Sequence, residues 1–519
     1  MGWNVPKEAD VRPEYLLHNS LHTVDWCDVA RVTIDMLPDV ALLEIFDFYL
    51  GNGTRVQAVQ AWHKLVHVCR QWRNVVFGSP QRLNLRLRCT ENTPVRETID
   101  AWPLLPILVE GYGYDKHRME NIFGELEHNA STSPDFNDTP AMPMPFLVEG
   151  HDYNTWRVDN ILAALEHNDR IRELDFYNPP SSDMDKVLAA MHQPFPVLTR
   201  LYLHSKGETV AVAPASFLGG SAPRLQKLYL DSISFSGLPK LLLSATHLVK
   251  LCLKMIPHSG YFSPEAVVAA LAVLTRLELL LIGFKSPRSL PDRKTRCPPP
   301  PTRTLLPALK GIGFSGVSEY LDDLVARVDA PLLDELKIFF FHQLIFDTPQ
   351  LTQFIRRTPN FKTYDKARVE FSGSRVWATT IDRAFGLTIK CTPSDWQLSS
   401  LAQVCSSGFM LAAERLYICE RKYSLLSWQD DIETGQWLEV LRPLTAVKEL
   451  YISRRFTPYI VPTLQELVGG RVSEVLPALQ TLFLEEALPP GPVQESIEKF
   501  VAARQLAGRP IVVSHWSYY

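Results

Sequence analysis

Short stretches in which apolar and polar residues alternate recur along most of the chain. The pattern is L-x-x-L-x-L, seen as IRELDF from Ile171, LTRLYL from Leu198, LQKLYL from Leu225, LVKLCL from Leu248 and LTRLEL from Leu274. Alternation of this kind predicts short strands. The spacing between successive copies stays within the period of about 20–29 residues that is typical of leucine-rich repeats.

The same pattern continues towards the C-terminus. Its further copies are LKGIGF from Leu309, LDELKI from Leu333, AERLYI from Ala413, VKELYI from Val447 and LQTLFL from Leu479. Many copies follow a proline, which sets the start of a strand without removing a ladder hydrogen bond. Between copies, PEAVVAALAVL (264–274) and VSEYLDDLVARV (317–328) have helical spacing.

The prediction is therefore an α/β fold. Residues 81–519 would form an irregular leucine-rich-repeat solenoid, with short parallel strands alternating with helices or turns. We expect the terminal VVSHWSYY to close the array, because an open last repeat must cover its core.

A sharper repetition lies near the start of this array. PILVEGYGYDKHRMENIFGELEHN (106–129) and PFLVEGHDYNTWRVDNILAALEHN (145–168) are identical at 13 of 24 positions. We interpret them as a tandem duplication of one strand-plus-helix unit, with PILVE and PFLVE as the strands. The polar, proline-rich connector between the two copies predicts a mobile loop over 130–144.

A second mobile loop is predicted over 285–303, KSPRSLPDRKTRCPPPPTR. Four successive prolines and many Lys and Arg residues mean that this segment cannot bury apolar area. It is either a solvated insertion or a contact site for an acidic partner or nucleic acid. The lack of interleaved aromatic residues argues against nucleic acid.

The N-terminal part of the chain has helical periodicity instead. Residues 1–35 form a polar extension, one helix is predicted over 38–49, and a second over about 56–77. Together the two helices carry more apolar side chains than a hairpin of their length can bury, and such an excess usually marks an interface.

The second helix raises the question of a metal site. His63 and His67 stand four residues apart, with Cys69 nearby. The H-E-x-x-H motif needs Glu after the first His, and Lys64 occupies that place. We therefore expect histidines that face solvent or a partner, and no metal.

The two helices together resemble a known family. LPDVALLEIFDFYL (37–50) followed by AWHKLVHVCRQWRNVVF (61–77) resembles an F-box, with its Leu-Pro opening, its Leu-Leu-x-Ile-Phe helix and its Val-Cys-x-x-Trp-Arg end. The remainder is similar to the irregular leucine-rich receptor half of fungal F-box proteins.

The resemblance implies an F-box domain over 36–80 and a function. The chain would be the substrate receptor of an SCF-type cullin–RING ubiquitin ligase, with its F-box docked on the Skp adaptor and its repeats presented to a target protein. Residues that would form or support the adaptor face are Leu37, Pro38, Leu42, Leu43, Ile45, Phe46, Leu65, Val68, Cys69 and Trp72.

Target contacts are predicted on the repeats, between or beside the inward strand positions. The candidates are Tyr202, Tyr229, Lys254, Glu278, Lys337, Tyr417, Tyr451 and Phe483. Such residues could equally be routine strand positions that face solvent.

Composition narrows the choice of environment. Apolar residues make up 46% of the chain and charged residues 21%, so a large core can form. A net charge of −4 gives no global basic field for nucleic acid or anionic membrane.

Eight scattered cysteines without a CxxC pair indicate free thiols in a reducing compartment. The first residues lack the apolar core of a secretory signal, and no apolar run is long enough for a membrane span. We expect a cytoplasmic or nuclear protein.

No sequence motif for catalysis stands out. G-x-S-x-G, the phosphate-binding G-x-x-x-x-G-K-[ST] and ligand-spaced carboxylate clusters are all missing from the sequence. We expect no enzyme activity and no cofactor. The alternatives to a ligase receptor are a leucine-rich interaction scaffold without a ligase role, and a hydrolase of unrecognised type that uses a cleft in the array.

Overall fold

The computed structural model places the chain in two compact units, Met1–Leu83 and Asn84–Tyr519. The residues it describes are 37–51, 65–78, 86–89, 94–101, 104, 106–112, 157–177, 181–205, 209–287, 302–341, 348–361, 365–372, 375–381, 384–391, 395–406, 410–420, 434–466, 474–485 and 491–517.

Thirteen α-helices lie in the described residues. They are α1 (Asp39–Gly51), α2 (Arg70–Gly78), α3 (Val95–Ala101), α4 (Val158–Leu165), α5 (Ser181–Ala190), α6 (Leu238–Leu242), α7 (Pro264–Leu271), α8 (Ser318–Val325), α9 (Pro349–Arg357), α10 (Asp395–Ser406), α11 (Thr434–Leu441), α12 (Thr457–Gln465) and α13 (Pro492–Leu506).

The described strands all belong to the second unit. They are β1 (Arg86–Arg88), β2 (Ile107–Tyr112), β3 (Ile171–Tyr177), β4 (Arg200–His204), β5 (Ala211–Val212), β6 (Lys227–Asp231), β7 (Ile233–Ser234), β8 (Lys250–Ile256), β9 (Leu279–Phe284), β10 (Thr304–Leu305), β11 (Gly311–Gly316), β12 (Val328–Asp329), β13 (Glu335–Phe340), β14 (Lys366–Ser372), β15 (Arg375–Thr380), β16 (Phe385–Lys390), β17 (Arg415–Glu420), β18 (Glu449–Ile452), β19 (Thr481–Leu484) and β20 (Val512–His515).

In the first unit, α1 packs on α2 around a small apolar core. Leu42 is fully buried, and the Phe46 ring lies against Trp72 with centroids 4.8 Å apart. The prediction of one helix over 56–77 is wrong where it can be checked. The chain turns at 67–68, and α2 begins only at Arg70, where the Trp72 amide donates to the Cys69 Sγ at 3.4 Å.

The second unit is built on one sheet of sixteen strands, and it confirms the α/β class. The order is β1-β2-β3-β4-β6-β8-β9-β11-β13-β16-β15-β14-β17-β18-β19-β20. Neighbours are parallel except where β15 meets β14 and β16. A helix or a turn separates most successive strands, as in a leucine-rich-repeat array.

One face of the sheet is its apolar core. Leu174, Leu201, Leu228, Leu251 and Leu280 come from five neighbouring strands and are at most 2% exposed. They are the second leucines of the L-x-x-L-x-L copies or their equivalents. Full burial of such a side chain contributes about 1.5–3 kcal/mol, so this column stabilises the array from β3 to β9.

Local caps fix the helices that return between strands. The Ser263 Oγ accepts the Ala266 amide hydrogen bond at 3.2 Å at the start of α7, and Pro264 follows at its first position. Proline there is favourable, because that amide has no partner within the helix. The helices predicted inside 264–274 and 317–328 are thereby confirmed as α7 and α8.

The repeat register differs from the prediction at β9. LTRLEL from Leu274 was expected to be the strand, but β9 begins at Leu279, and Leu251 pairs with Leu280. A short turn, closed by a hydrogen bond from a leucine amide to the carbonyl three residues before it, precedes β8 and also occurs twice before β9. The Leu274 amide donates to the Leu271 carbonyl, and the Leu277 amide donates to the Leu274 carbonyl. A run of leucines permits both registers, and the sequence pattern selected the wrong one.

The alternation also failed to predict a three-stranded insertion, β14 to β16. β16 pairs with β13, β14 pairs with β17, and β15 lies between them in antiparallel orientation. Residues 366–390 thus reverse the strand order within the sheet without breaking it.

The duplicated segment contributes one strand to the described sheet. PILVE of the first copy is confirmed as part of β2, and β2 pairs directly with β3. PFLVE of the second copy lies outside the described residues, as do 1–35, the loop 130–144, and 288–301 of the second predicted loop.

Candidate interaction surface

The face of the sheet opposite the leucine column carries one continuous row of residue positions, here named the central row. Each pair of neighbours is in direct register. In sheet order its members are Arg88, Glu110, Asp175, Tyr202, Tyr229, Cys252, Leu281, Gly313, Lys337, Gly386, Thr379, Arg368, Tyr417, Tyr451, Phe483 and Ser514.

Six of the eight residues predicted to contact a target lie in the central row. They are Tyr202, Tyr229, Lys337, Tyr417, Tyr451 and Phe483. Lys254 lies on the same face, two residues further along β8, in register with Asp231. Glu278 is not part of the central row and does not lie on a strand. It precedes β9 and pairs with Lys310 at 3.4 Å, as the corrected register requires.

In the N-terminal half of the row, on β3 to β9, the aromatic side chains are buried in the core. Tyr202 and Tyr229 stack with centroids 4.1 Å apart, and each is only 3% exposed. They form a cluster with Tyr177, Cys252 and Leu281. Burial is the main cause that raises the tyrosine pKa values above their ordinary range. Both rings belong to the core in this conformation, and the contact of Tyr202 and Tyr229 with a target stays a prediction.

A buried aspartate that contacts a histidine lies beside these tyrosines. The His204 Nδ1 is 3.2 Å from Asp231 Oδ2, and Tyr229 donates its hydroxyl hydrogen to the same oxygen at 3.1 Å. Burial alone would raise the Asp231 pKa, but the hydrogen bond and charge of His204, with the charge of Lys254, lower it. Tyr177 stacks on the imidazole at 4.7 Å and completes the cover.

In the C-terminal half the row is open. Tyr417, Tyr451 and Phe483 stack at 4.1 and 4.2 Å and are all half-buried. The Arg368 guanidinium lies 5.8 Å from the Tyr417 ring centre, and it also pairs with Glu370 at 3.5 Å. The strands here alternate mostly between buried and half-buried residues, whereas β3 to β9 are largely buried on both faces.

Further aromatic and arginine side chains extend this open half. Trp377 and Phe339 are half-buried on β15 and β13, and the Arg375 guanidinium lies 5.4 Å from the Phe339 ring centre. The sequence analysis missed Arg375 and Trp377 because no leucine pattern marks β15, and it missed Phe339 because the LDELKI copy ends at Ile338. The Val, Trp and Thr residues of RVWATT favour strands, and that was the available signal.

The chain end folds onto the open half. Trp516 follows β20, meets the edges of Tyr417 and Tyr451 at 5.9 and 5.6 Å, and donates its Nε1 hydrogen to the Ile452 carbonyl at 3.2 Å. The terminal segment therefore adds an aromatic side chain to the surface as well as a last strand.

In the first unit, the ten predicted adaptor residues divide by exposure. Leu42, Phe46 and Leu65 are buried, Pro38, Ile45 and Val68 are exposed, and Leu37, Leu43, Cys69 and Trp72 are intermediate. Among the described residues of this unit, the most exposed apolar side chains are Val40 and Phe48, at 69% and 73%, and neither was predicted. Their spacing of eight residues on α1 places them about 80° apart around the helix axis, within one broad stripe, and that was the available signal.

The buried cysteines have no features of nucleophiles. Burial raises the pKa of Cys252, Cys405 and Cys419 to about 12, so all three are neutral thiols at physiological pH. Within the described ranges, no three His, Cys, Asp or Glu side chains lie close enough to hold a metal ion. Among the helices of the described residues, none is long and apolar enough to cross a membrane.

Of the comparisons with known proteins, the one with solved structures finds similar chains. No family model matches the chain, and no curated protein matches it in sequence. Among solved structures, the chain is similar to the leucine-rich repeat-containing protein LegL7 from Legionella pneumophila, at 12% identity and a TM-score of 0.25. The likeness covers 64% of this chain and 90% of LegL7. A score this low carries no argument, so the repeat assignment rests on the register described above.

Proposed function

We propose that the chain is a protein-interaction scaffold whose open half, β13 to β20, holds a target protein. The observation that carries the proposal is the half-buried stack of Tyr417, Tyr451 and Phe483 beside arginine side chains. Trp, Tyr and Arg contribute most of the binding free energy at protein interfaces. Aromatic rings already stacked on a sheet lose little conformational entropy on binding, which favours their use as anchors.

We further propose that the first unit docks on the Skp adaptor of an SCF-type ubiquitin ligase. Support comes from the F-box resemblance and from the exposed apolar side chains of Val40, Ile45, Phe48 and Val68. Four such residues on so small a unit favour a partner surface.

In this function the chain contributes proximity and no chemistry of its own. A target held on the repeats and an adaptor held on the F-box belong to one complex, so the target meets the activated ubiquitin carrier at high effective concentration. Without adaptor binding, the alternative is a leucine-rich scaffold that joins proteins for another purpose.

The adaptor proposal is tested by titrating full-length protein with purified Skp adaptor. We expect Phe48→Ala and Val40→Ala each to weaken binding about tenfold, or about 1.4 kcal/mol. Leu506, which is 90% exposed in the second unit, supplies the matched control Leu506→Ala. Well-folded protein that does not bind the adaptor would leave the scaffold without a ligase role as the better account.

The target proposal is tested by site-specific photo-crosslinking in cells. A benzoylphenylalanine at Tyr451 reports on the open half, and one at the exposed Arg442, just after α11, reports on the helix side of the same repeat. We expect a crosslinked protein from position 451 that is lost with Phe483→Ser and is not obtained from position 442. Equal crosslinking of the same protein from both positions would contradict the proposal.

A further inference from the structure

The steps along the central row are regular except at one place. Asp175, Tyr202, Tyr229 and Cys252 follow one another along the chain at ordinary repeat steps, within about 20–29 residues. The step from Glu110 to Asp175 is more than twice as long, although β2 and β3 are direct neighbours. Leaving out one period of the duplication, from Pro106 to the equivalent Pro145, brings this step back to ordinary length.

The described repeat takes its parts from both copies. Strand β2 belongs to the first copy, and helix α4 belongs to the second. The other strand and the other helix of the duplication fall within 113–156, outside the described residues.

The strand of the first copy fits its position in the sheet better than the strand of the second copy would. Ile107, Leu108, Val109 and Glu110 are at most 4% exposed in β2. The second copy carries the same residues at the last three positions but replaces Ile107 by Phe146. A larger ring at a fully buried isoleucine position forces its neighbours to move.

The helix position has the opposite preference. Ala164 is fully buried in α4, and the equivalent residue of the first copy is Glu125. A carboxylate at a fully buried helix position loses its hydration, which is a large cost. Each copy therefore contains one element that fits the array and one with a misfit.

We infer that the two copies supply two candidate strands for one strand position of the array and two candidate helices for one helix position. At each position the chain uses the candidate whose side chains fit the core better. The segment between the two elements in use is longer than in a single unit by one period, and the array does not need this added period. This inference is independent of the proposed function.

The test compares three deletions of equal length, each of which leaves one complete strand–helix unit. Deletion of 113–151 keeps β2 and α4. Deletion of 106–144 joins the second strand to α4, and deletion of 130–168 joins β2 to the first helix. Thermal unfolding of each purified chain is compared with that of the full-length protein.

We expect the 113–151 deletion to unfold within about 2 °C of the full-length protein. The 106–144 deletion should unfold at lower temperature and be restored by Phe146→Ile. The 130–168 deletion should be the least stable and be restored by Glu125→Ala. In the full-length chain both substitutions should have no effect, because β2 and α4 already occupy these two positions of the array.

Three results would overturn the inference. One is an unfolded 113–151 deletion, which would show that the added period is needed. Another is equal stability of all three deletions, and the third is failure of either substitution to restore its own deletion.

Discussion

Both halves of the central row contain a stacked pair of tyrosines with the same geometry, but one pair is buried and the other is partly exposed. Tyr202 and Tyr229 stack at 4.1 Å with 13° between their planes, and so do Tyr417 and Tyr451. The first pair is 3% exposed and the second is half-buried. A repeat position therefore fixes where a side chain stands but not whether it is core or surface.

The difference comes from the next row of the same face. In the N-terminal half that row contains Tyr177, His204 and Asp231, which are large or charged and close over the rings. Directly beside Tyr417 and Tyr451 it contains Cys419 and Ser453, which are smaller than Tyr177, His204 and Asp231, and its larger members Glu370, Trp377 and Phe339 lie on other strands. Trp516 reaches only the ring edges there.

The largest expected effect is a difference in how much each tyrosine stack contributes to the free energy of unfolding. Tyr229→Ala should cost about 3–5 kcal/mol of unfolding free energy, because it empties a fully packed site. Tyr451→Ala, its matched control in the open half, should cost well under half as much. Urea denaturation of the two variants measures both values, and similar losses would show that the halves are packed alike.

A second experiment tests the contact between Asp231 and His204, which closes the N-terminal half. Asp231→Asn should lower stability at neutral pH by about 3 kcal/mol, because it removes one partner of a buried pair. The lowered Asp231 pKa means that its contribution is complete at neutral pH, begins to fall below about pH 4, and is lost as pH drops through the folded-state value. Unfolding measured from neutral pH down to about pH 3 should therefore be less pH-dependent in Asp231→Asn. A parallel pH profile would contradict this role.

A third experiment addresses the junction of the halves. A Cβ added at Gly313 would collide with the Leu281 side chain, which lies across the glycine. Gly313→Ala should cost about 1–2 kcal/mol through overpacking. Leu281→Ala in the same chain should relieve that clash, so the double variant should lose less than the two single losses combined. Additive losses would mean that the two positions do not touch.

The smallest effect concerns the chain end. Trp516→Ala should cost only about 1 kcal/mol, because Trp516 is half-buried and contacts ring edges. The same variant should increase the accessibility of Tyr417 and Tyr451 and leave that of Tyr202 unchanged. A large loss of stability would instead make Trp516 part of the core.

Much of the fold was predictable because each L-x-x-L-x-L copy combines a period of two with a recurrent spacing. Nine of the ten copies were placed on the strands that the structure has. The exception, Leu274, failed because LTRLELLLI fits the motif in two registers, and a local pattern cannot choose between them. The insertion β14 to β16 was missed because its core side chains are mostly Ala, Val and Phe rather than leucine.

The candidate surface was predictable only in part. Sequence alternation correctly put Tyr202 and Tyr451 on one face, but it could not assign one to the core and the other to the surface. That distinction depends on residues two positions further along neighbouring strands, which are distant in sequence. Trp516 lies opposite Tyr417 for the same reason, through the pairing of strands that are far apart along the chain.

The central claim, that the row is closed in one half and open in the other, is tested most directly by tyrosine accessibility. Native full-length protein is exposed briefly to hydroxyl radicals, and oxidation of each tyrosine is followed by mass spectrometry. The account predicts that Tyr417 and Tyr451 are oxidised several times faster than Tyr202 and Tyr229. Equal rates in the two pairs would contradict it, and with it the assignment of the open half as the surface that holds a target.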